Sequence, residues 1–200
     1  MKIITHVNGI CGTNTYLIID DGKAVAIDPA DDADGILQIA KSHNASVTDV
    51  LVTHAHFDHI GALRELKAQG ARVYASEDYK LVDELNAMFV GNASGLRFTP
   101  DVTVRDGDVI EINGHSFEVI STPGHTPHGV CFVTDGEKIF TGDTLFRLSI
   151  GRTDFTLGNK PELIKTVKML FALDGDYEVF PGHGEPTTLD YERKNNPYVG

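Results

Sequence analysis

Four side chains able to bind a metal fall within six residues, in the run T-H-A-H-F-D-H: His54, His56, Asp58 and His59. His54 and His56 alternate with Ala55, so in extended backbone their imidazoles point the same way. Asp58 and His59 fall at the following turn and can serve a second pocket. Three further candidates stand apart downstream: His125, Asp143 and His183. Both isolated histidines follow Pro-Gly, at 123–125 and 181–183, where the pair turns the chain and glycine lets backbone approach a ligand with no Cβ in the way. Imidazole and carboxylate together suit a borderline cation, Zn²⁺ or Fe, and seven donors exceed what one tetrahedral ion takes. The arithmetic favours two divalent cations, zinc first, with Fe or Mn as alternatives.

Elements able to position these groups are visible around them. Five apolar runs lead into a metal-capable residue: A-V-A-I before Asp28, V-L-V-T before His54, F-E-V-I-S-T-P-G before His125, K-I-F-T-G before Asp143 and Y-E-V-F-P-G before His183. Strands fix whatever stands at their ends, so the five ends are expected to converge on one site. Strand-like runs occupy 3–7, 15–19, 24–27, 50–53, 72–74, 102–104, 109–112, 116–121, 130–134, 138–141 and 178–180. Helical spacing of apolar residues appears over 34–43, 60–69, 77–89 and 161–173, with Pro161 in a first turn and Gly70 as a stop. Asp20-Asp21-Gly22-Lys23, Asp106-Gly107-Asp108, Asn113-Gly114 and Asp135-Gly136-Glu137 read as hairpin turns. Hairpins make neighbouring strands antiparallel, and the helices fall after particular strands. The expected fold is therefore α/β, mixed sheets with helices packed on their outer faces.

The 200 residues, 41% hydrophobic and 23% charged, are enough for one domain with a sizeable core, spanning 1–200. Seventeen Lys and Arg against 29 Asp and Glu leave a formal charge of −12, which disfavours nucleic acid and anionic membrane as partners. No run approaches the roughly 20 apolar residues of a membrane span, and the start lacks a signal-peptide core, so the expected location is cytoplasmic. Cys11 and Cys131 are too few and too far apart for a disulfide framework and read as buried hydrophobes.

T-H-A-H-F-D-H-I-G-A resembles the HxHxDH signature of the metallo-β-lactamase superfamily, and the order of His125, Asp143 and His183 fits it. The segments I-F-T-G-D-T-L-F and G-R-T-D-F, with the ending P-G-H-G-E-P-T-T-L, look like its small glyoxalase II-like branch, the hydroxyacylglutathione hydrolase relatives. The resemblance implies a four-layer αββα sandwich with the site at one edge. It implies that His54, His56 and His125 hold one metal, that Asp58, His59 and His183 hold the other, and that Asp143 bridges both. It also makes Asp58 a proton shuttle, Asp28 an acid that orients a ligand histidine, and Thr53 and Thr141 its helpers. Gly151-Arg152 matches a Gly-Lys pair that contacts the thiol cofactor's carboxylate in full-length glyoxalase II, which makes Arg152 the leading substrate-binding residue, ahead of Arg147 and Lys160. Little sequence follows His183, so the C-terminal helical region that carries much of the glutathione surface in that enzyme is expected to be absent. His128 stands where many relatives have a small residue, and residues 86–98 are expected to form a mobile flap.

The expected function is hydrolysis of a 2-hydroxyacyl thioester, S-lactoylglutathione or another small thiol ester, by metal-bridging hydroxide. A thiolate leaves with little protonation, which suits a site with no dedicated general acid. A persulfide dioxygenase using one iron and a lactonase or other ester hydrolase are the alternatives. A class B β-lactamase is disfavoured because Asp143 stands where many of those enzymes use Cys. A non-catalytic binding module would need broken ligands, and all seven are present.

Overall fold

The computed structural model describes residues 1–135 and 137–199. The chain opens as an antiparallel meander of β1 (Lys2–Asn8), β2 (Thr13–Asp20) and β3 (Lys23–Ile27). Asp21 and Gly22 both take positive φ between β2 and β3, as a tight two-residue turn requires. α1 (Ala33–Ser42) carries the chain to β4 (Ser46–Val52), and α2 (Phe57–Ile60) and α3 (Leu63–Ala68) carry it to β5 (Arg72–Ala75). A 3-10 turn over Glu77–Leu81, then α4 (Val82–Asn86), precede β6 (Val102–Thr103). From β3 to β6 each strand lies parallel to the one before, and the sheet runs in simple sequential order.

The chain then crosses to a second sheet. β7 (Val109–Ile112), β8 (His115–Ser121), β9 (Val130–Thr134) and β10 (Lys138–Gly142) follow one another antiparallel. After a small hairpin of β11 (Leu145–Phe146) and β12 (Ser149–Ile150), helix α5 (Lys160–Phe171) returns β13 (Glu178–Pro181) parallel to β10. β14 (Thr187–Thr188) and α6 (Leu189–Asn195) complete an order of β14-β13-β10-β9-β8-β7.

Side-chain alternation along the strands sorts the apolar residues into three layers. Leu17 and Ile19 of β2 and Ala24 and Ala26 of β3 face outward under Ile36 of α1 and Leu63 and Leu66 of α3. Their sequence neighbours Tyr16, Ile18, Val25 and Ile27 face inward and meet Phe117, Val119, Phe132 and Phe140 of the second sheet. On the far side Cys131, Val133, Ile139 and Val179 pack under Leu163, Val167 and Leu170 of α5. The result is the αββα sandwich of two mixed sheets, with β2 buried on both faces.

Several expectations need correction. Asp106-Gly107-Asp108 joins β6 of one sheet to β7 of the other, so it is a crossover and not a hairpin. The helix expected over 60–69 is broken between α2 and α3, because the Ala62 amide donates to the Pro29 carbonyl instead of to its own helix. The helix expected over 77–89 is half 3-10 and ends at Asn86. Cys11 is exposed, whereas Cys131 is buried. Gly136, in the expected turn at 135–137, lies outside the described residues. Among the described residues no helix is long and apolar enough to cross a membrane.

Candidate metal centre

The five strand ends do meet. β3 delivers Asp28, β4 delivers His54, the loop into α2 brings His56, and α2 itself carries Asp58 and His59; the loops after β8, β10 and β13 bring His125, Asp143 and His183. Ligand-capable atoms of His54, His56 and His125 lie within 4.8 Å of one another, and so do those of Asp58, His59 and His183. Asp143 stands between the trios. Its Oδ2 is 3.5 Å from His125 Nε2, while its Oδ1 is 3.3 Å from His59 Nε2 and 3.5 Å from His183 Nε2.

The histidines are held from behind. Asp28, buried and in the left-handed region at φ 49°, accepts from the Thr53 amide at 2.7 Å and the Thr53 hydroxyl at 2.6 Å, and pairs with His59 Nδ1 at 2.9 Å. A non-glycine residue in that conformation is held there by its surroundings. With His59 Nδ1–H committed to Asp28, Nε2 is the atom presented to the cavity. Asp28 itself groups with His54 and His59, but its oxygens are already spoken for by these bonds, which makes it an orienting acid. The Thr53 hydroxyl also lies 3.1 Å from His54 Nδ1, and His125 Nδ1 donates to the Arg152 carbonyl at 2.7 Å. Thr141 acts one step further out, donating its hydroxyl to the Leu145 carbonyl and so closing the turn that carries Asp143.

These residues fit divalent cations. His54 Nε2, His56 Nε2, His59 Nε2 and Asp143 Oδ1 are buried without any hydrogen-bond partner, a concentration of unsatisfied atoms that a folded core does not otherwise keep. The electrostatics divide the centre in two. Burial, then the neighbouring imidazoles, pushes His54 well below the usual histidine value and His56 down to about 3, so both are neutral donors. On the other side burial opposes charge but loses. Asp143 and Asp58 hold His59 well above its usual value, and the same two carboxylates, 3.5 and 3.3 Å from His183 Nε2, raise that histidine to about 9. Despite burial, His59 and His183 hold Asp58 down to about 2 and Asp143 well below the carboxylate range. Protons on the two imidazoles there balance the carboxylates, the charge a cation would otherwise supply.

Two glycines make room for this. A Cβ on Gly182, in the second Pro-Gly-His, would overlap Asp143 Oδ1 and the His59 ring, and one on Gly142, at φ 47°, would overlap the Thr53 hydroxyl. The second sheet's contribution is also bonded directly to the first: the Asn14 amide donates to the Gly182 carbonyl at 2.7 Å, and Tyr16 Oη donates to the Pro181 carbonyl at 2.6 Å.

A cavity of about 300 Å³ opens over the donors, walled by Phe57, Phe89, Phe146 and Phe155, with Cys11 and Arg152 at its edge. Arg152 is half of a bidentate pair with Asp154 (3.0 and 2.8 Å), and its guanidinium lies 4.2 Å from the centre of the Phe155 ring. Arg147 pairs with Glu185 and lies over Tyr191, away from this cavity. Lys160 is exposed at the start of α5, and His128 is exposed. The 86–98 stretch does reach the site, through Phe89, whose ring is 5.7 Å from that of His56.

Sequence reasoning missed the groups that brace the ligand loops. Asp78, almost fully buried, accepts from the Thr126 hydroxyl and from the His128 amide at 3.0 Å, clamping the loop of His125. Asn86, also buried, accepts from the Phe57 amide at 2.6 Å and donates to the Ala55 carbonyl at 2.9 Å. In sequence Asp78 looks like an ordinary acid at a helix start, and nothing local distinguishes it.

Residues 8–183 match the model of the metallo-β-lactamase superfamily, and the chain belongs to that family. It is 35% identical to the hydroxyacylglutathione hydrolase GloC of Haemophilus influenzae over 93% of this chain and 92% of that protein. Among solved structures it resembles the B3 metallo-β-lactamase BLEG-1 (TM-score 0.91, 28% identity, 99% of both chains). It also resembles TTHA1623, solved in a di-iron-bound form (TM-score 0.85, 33% identity, 98% of this chain and 99% of that one). The family and the hydrolase relative support a metal-dependent hydrolase, and the His/Asp cluster supports a divalent metal.

Proposed function

We propose that the chain is a dinuclear metal-dependent thioesterase acting on small 2-hydroxyacyl thiol esters. The observation that carries the reading is the paired donor set: two trios, three unsatisfied imidazole nitrogens and one carboxylate facing both trios. His54, His56 and His125 would hold one cation, Asp58, His59 and His183 the other, with Asp143 shared. Zinc, iron and manganese all suit these ligands, and the di-iron form of TTHA1623 bears on that choice. When bound, such cations supply a water acidic enough to be hydroxide near neutral pH and a Lewis acid for a carbonyl oxygen.

What the protein's own groups supply favours a thioester over an amide. Besides five of the donors, His56, Asp58, His125, Asp143 and His183, only Cys11 and Arg152 in the cavity lining have a proton to give among the described residues, and the Arg152 guanidinium stays charged. A β-lactam nitrogen must be protonated to leave, whereas a thiol with pKa about 8.5 departs as thiolate. The phenylalanines make the cavity wall apolar, and Asp28 with Thr53 holds the Nδ1 side of His54 and His59, leaving Nε2 to the donor cluster.

The test pairs elemental metal analysis of the purified protein with thiol release from S-lactoylglutathione and from S-lactoyl-N-acetylcysteamine. Two metals per chain and thiol release lost in His54→Ala are expected. One iron per chain, no thiol release and oxygen uptake with glutathione persulfide would replace the thioesterase with a dioxygenase. Two metals with turnover only of lactones or a β-lactam would replace the substrate class.

A further inference from the structure

We infer that the substrate's recognition arm is its acyl side, uncharged and aromatic or branched and seated on the phenylalanine wall beside His56 and His125, and not the anionic peptide of a glutathione ester. This refines the thioesterase reading and rests on it for the scissile bond.

Three elements separated in sequence each send a ring to the same place. Phe57 comes from the start of α2, Phe89 from the stretch after α4 and Phe155 from the loop after β12. Phe89 is 5.3 Å from Phe57 and 4.7 Å, edge to face, from Phe155. Phe89 and Phe155 both stand edge-on to His56, at 5.7 and 5.9 Å. Phe89 is still 37% exposed, so its ring leaves apolar surface uncovered at the mouth of the site. A cavity of about 300 Å³ lies at the small end of ligand sites, room for a single ring or branched chain next to the reacting group.

Charge argues the same way. Arg152 is the one lysine or arginine in the lining among the described residues; Asp154 takes its Nε and Nη2 and its face is laid on Phe155. It therefore extends the aromatic wall more than it offers a carboxylate receptor. Asp58 and Asp143 are committed to the metals, so the charge that bears on the arm is that of Arg152, already paired, in a chain that carries −12 overall.

Binding of thioethers, which cannot be hydrolysed, isolates the arm from the chemistry. Calorimetric titration of the metal-loaded protein with S-benzyl- and S-methyl-N-acetylcysteamine is expected to favour the benzyl compound by about tenfold or more. S-benzylglutathione should bind no tighter than the neutral benzyl compound. Phe89→Ala should remove most of the benzyl preference and Phe89→Leu should restore part of it, with melting curves confirming that both variants fold. Equal binding of benzyl and methyl compounds, a preference untouched by Phe89→Ala, or a clearly tighter glutathione derivative would each overturn the inference. The lactoyl and mandeloyl thioesters of N-acetylcysteamine separate the two readings. If neither is hydrolysed while the benzyl preference and its loss in Phe89→Ala persist, the thioesterase reading falls and the aromatic arm stands. If both are hydrolysed equally and the thioethers bind alike, the arm falls and the thioesterase stands.

Discussion

Asp28 shows what a single buried carboxylate does for a metal centre without reaching the cavity. It accepts from Thr53 twice and pairs with His59 Nδ1, so changing it to Asn puts an amide N–H against groups that donate. Asp28→Asn is expected to weaken metal retention by about 10–100-fold, read as metal content after dialysis against graded chelator. A variant that keeps its full metal content would remove Asp28 from that role. Asp78 acts through the loop of His125 and carries a different signature. Burial raises its carboxyl above the usual value of 3.8, outweighing the Thr126 and His128 hydrogen bonds. A raised carboxyl binds its proton more tightly in the folded state, so its contribution to stability is complete below about 4 and is lost as pH rises through the folded value. Asp78→Asn does not titrate. Its melting temperature, compared with wild type on chelator-treated protein, should therefore shift in the variant's favour between pH 4 and 7. A constant difference across that range would mean Asp78 is not perturbed.

At the scale of elements, what was readable followed from period and punctuation. The run before His54 reads as a strand because Val50-Leu51-Val52 is apolar throughout, and Asp21-Gly22 turns because both residues tolerate positive φ. Short elements held by tertiary bonds left no such trace: β11, β12 and β14 have two residues each, and the α2–α3 break depends on a carbonyl from residue 29. The metal ligands were legible because their spacing is local, whereas Phe89 and Phe155 come together only through the fold. α6 belongs to the unreadable group, and its anchor can be tested. Glu192 is fully buried and accepts from the Leu148 amide at 2.9 Å, the Thr187 hydroxyl at 2.7 Å and Asn196 Nδ2 at 2.9 Å. Glu192→Ala leaves three donors without an acceptor, which should cost about 3 kcal/mol and lower the melting temperature by about 6–12 °C. Since none of those donors touches a metal ligand, metal content at 25 °C should stay unchanged. A drop in metal content with an unaltered melting temperature would show that α6 supports the site and not the fold.

Across the whole molecule, the centre is split between two sheets, and apolar packing alone holds sheets together without fixing their ends to fractions of an ångström. Directional bonds do that here. Val130 of β9 donates to the Thr53 carbonyl at the end of β4, and Thr13 bridges to His183. Asn14 of β2, buried, donates its side-chain amide to the Pro181 carbonyl at 3.0 Å and the Gly184 carbonyl at 2.9 Å, on either side of His183. The His54, His56 and His125 trio draws on β4 and β8, and the Val130 bond ties β4 to β9, the neighbour of β8, while the other trio depends on β13 being fastened to β2. Asn14→Ala should therefore act unevenly. It leaves the Gly184 carbonyl without its partner and the Pro181 carbonyl with Tyr16 alone, at a cost of about 1 kcal/mol, and frees the His183 loop, so metal content on mild dialysis should fall from two per chain toward one. Spectroscopy on the cobalt-substituted protein would then report three histidines and one carboxylate around the ion that remains. Loss of both metals together would mean that the two halves of the centre stand or fall as one unit, and retention of both would mean that β13 is held without Asn14.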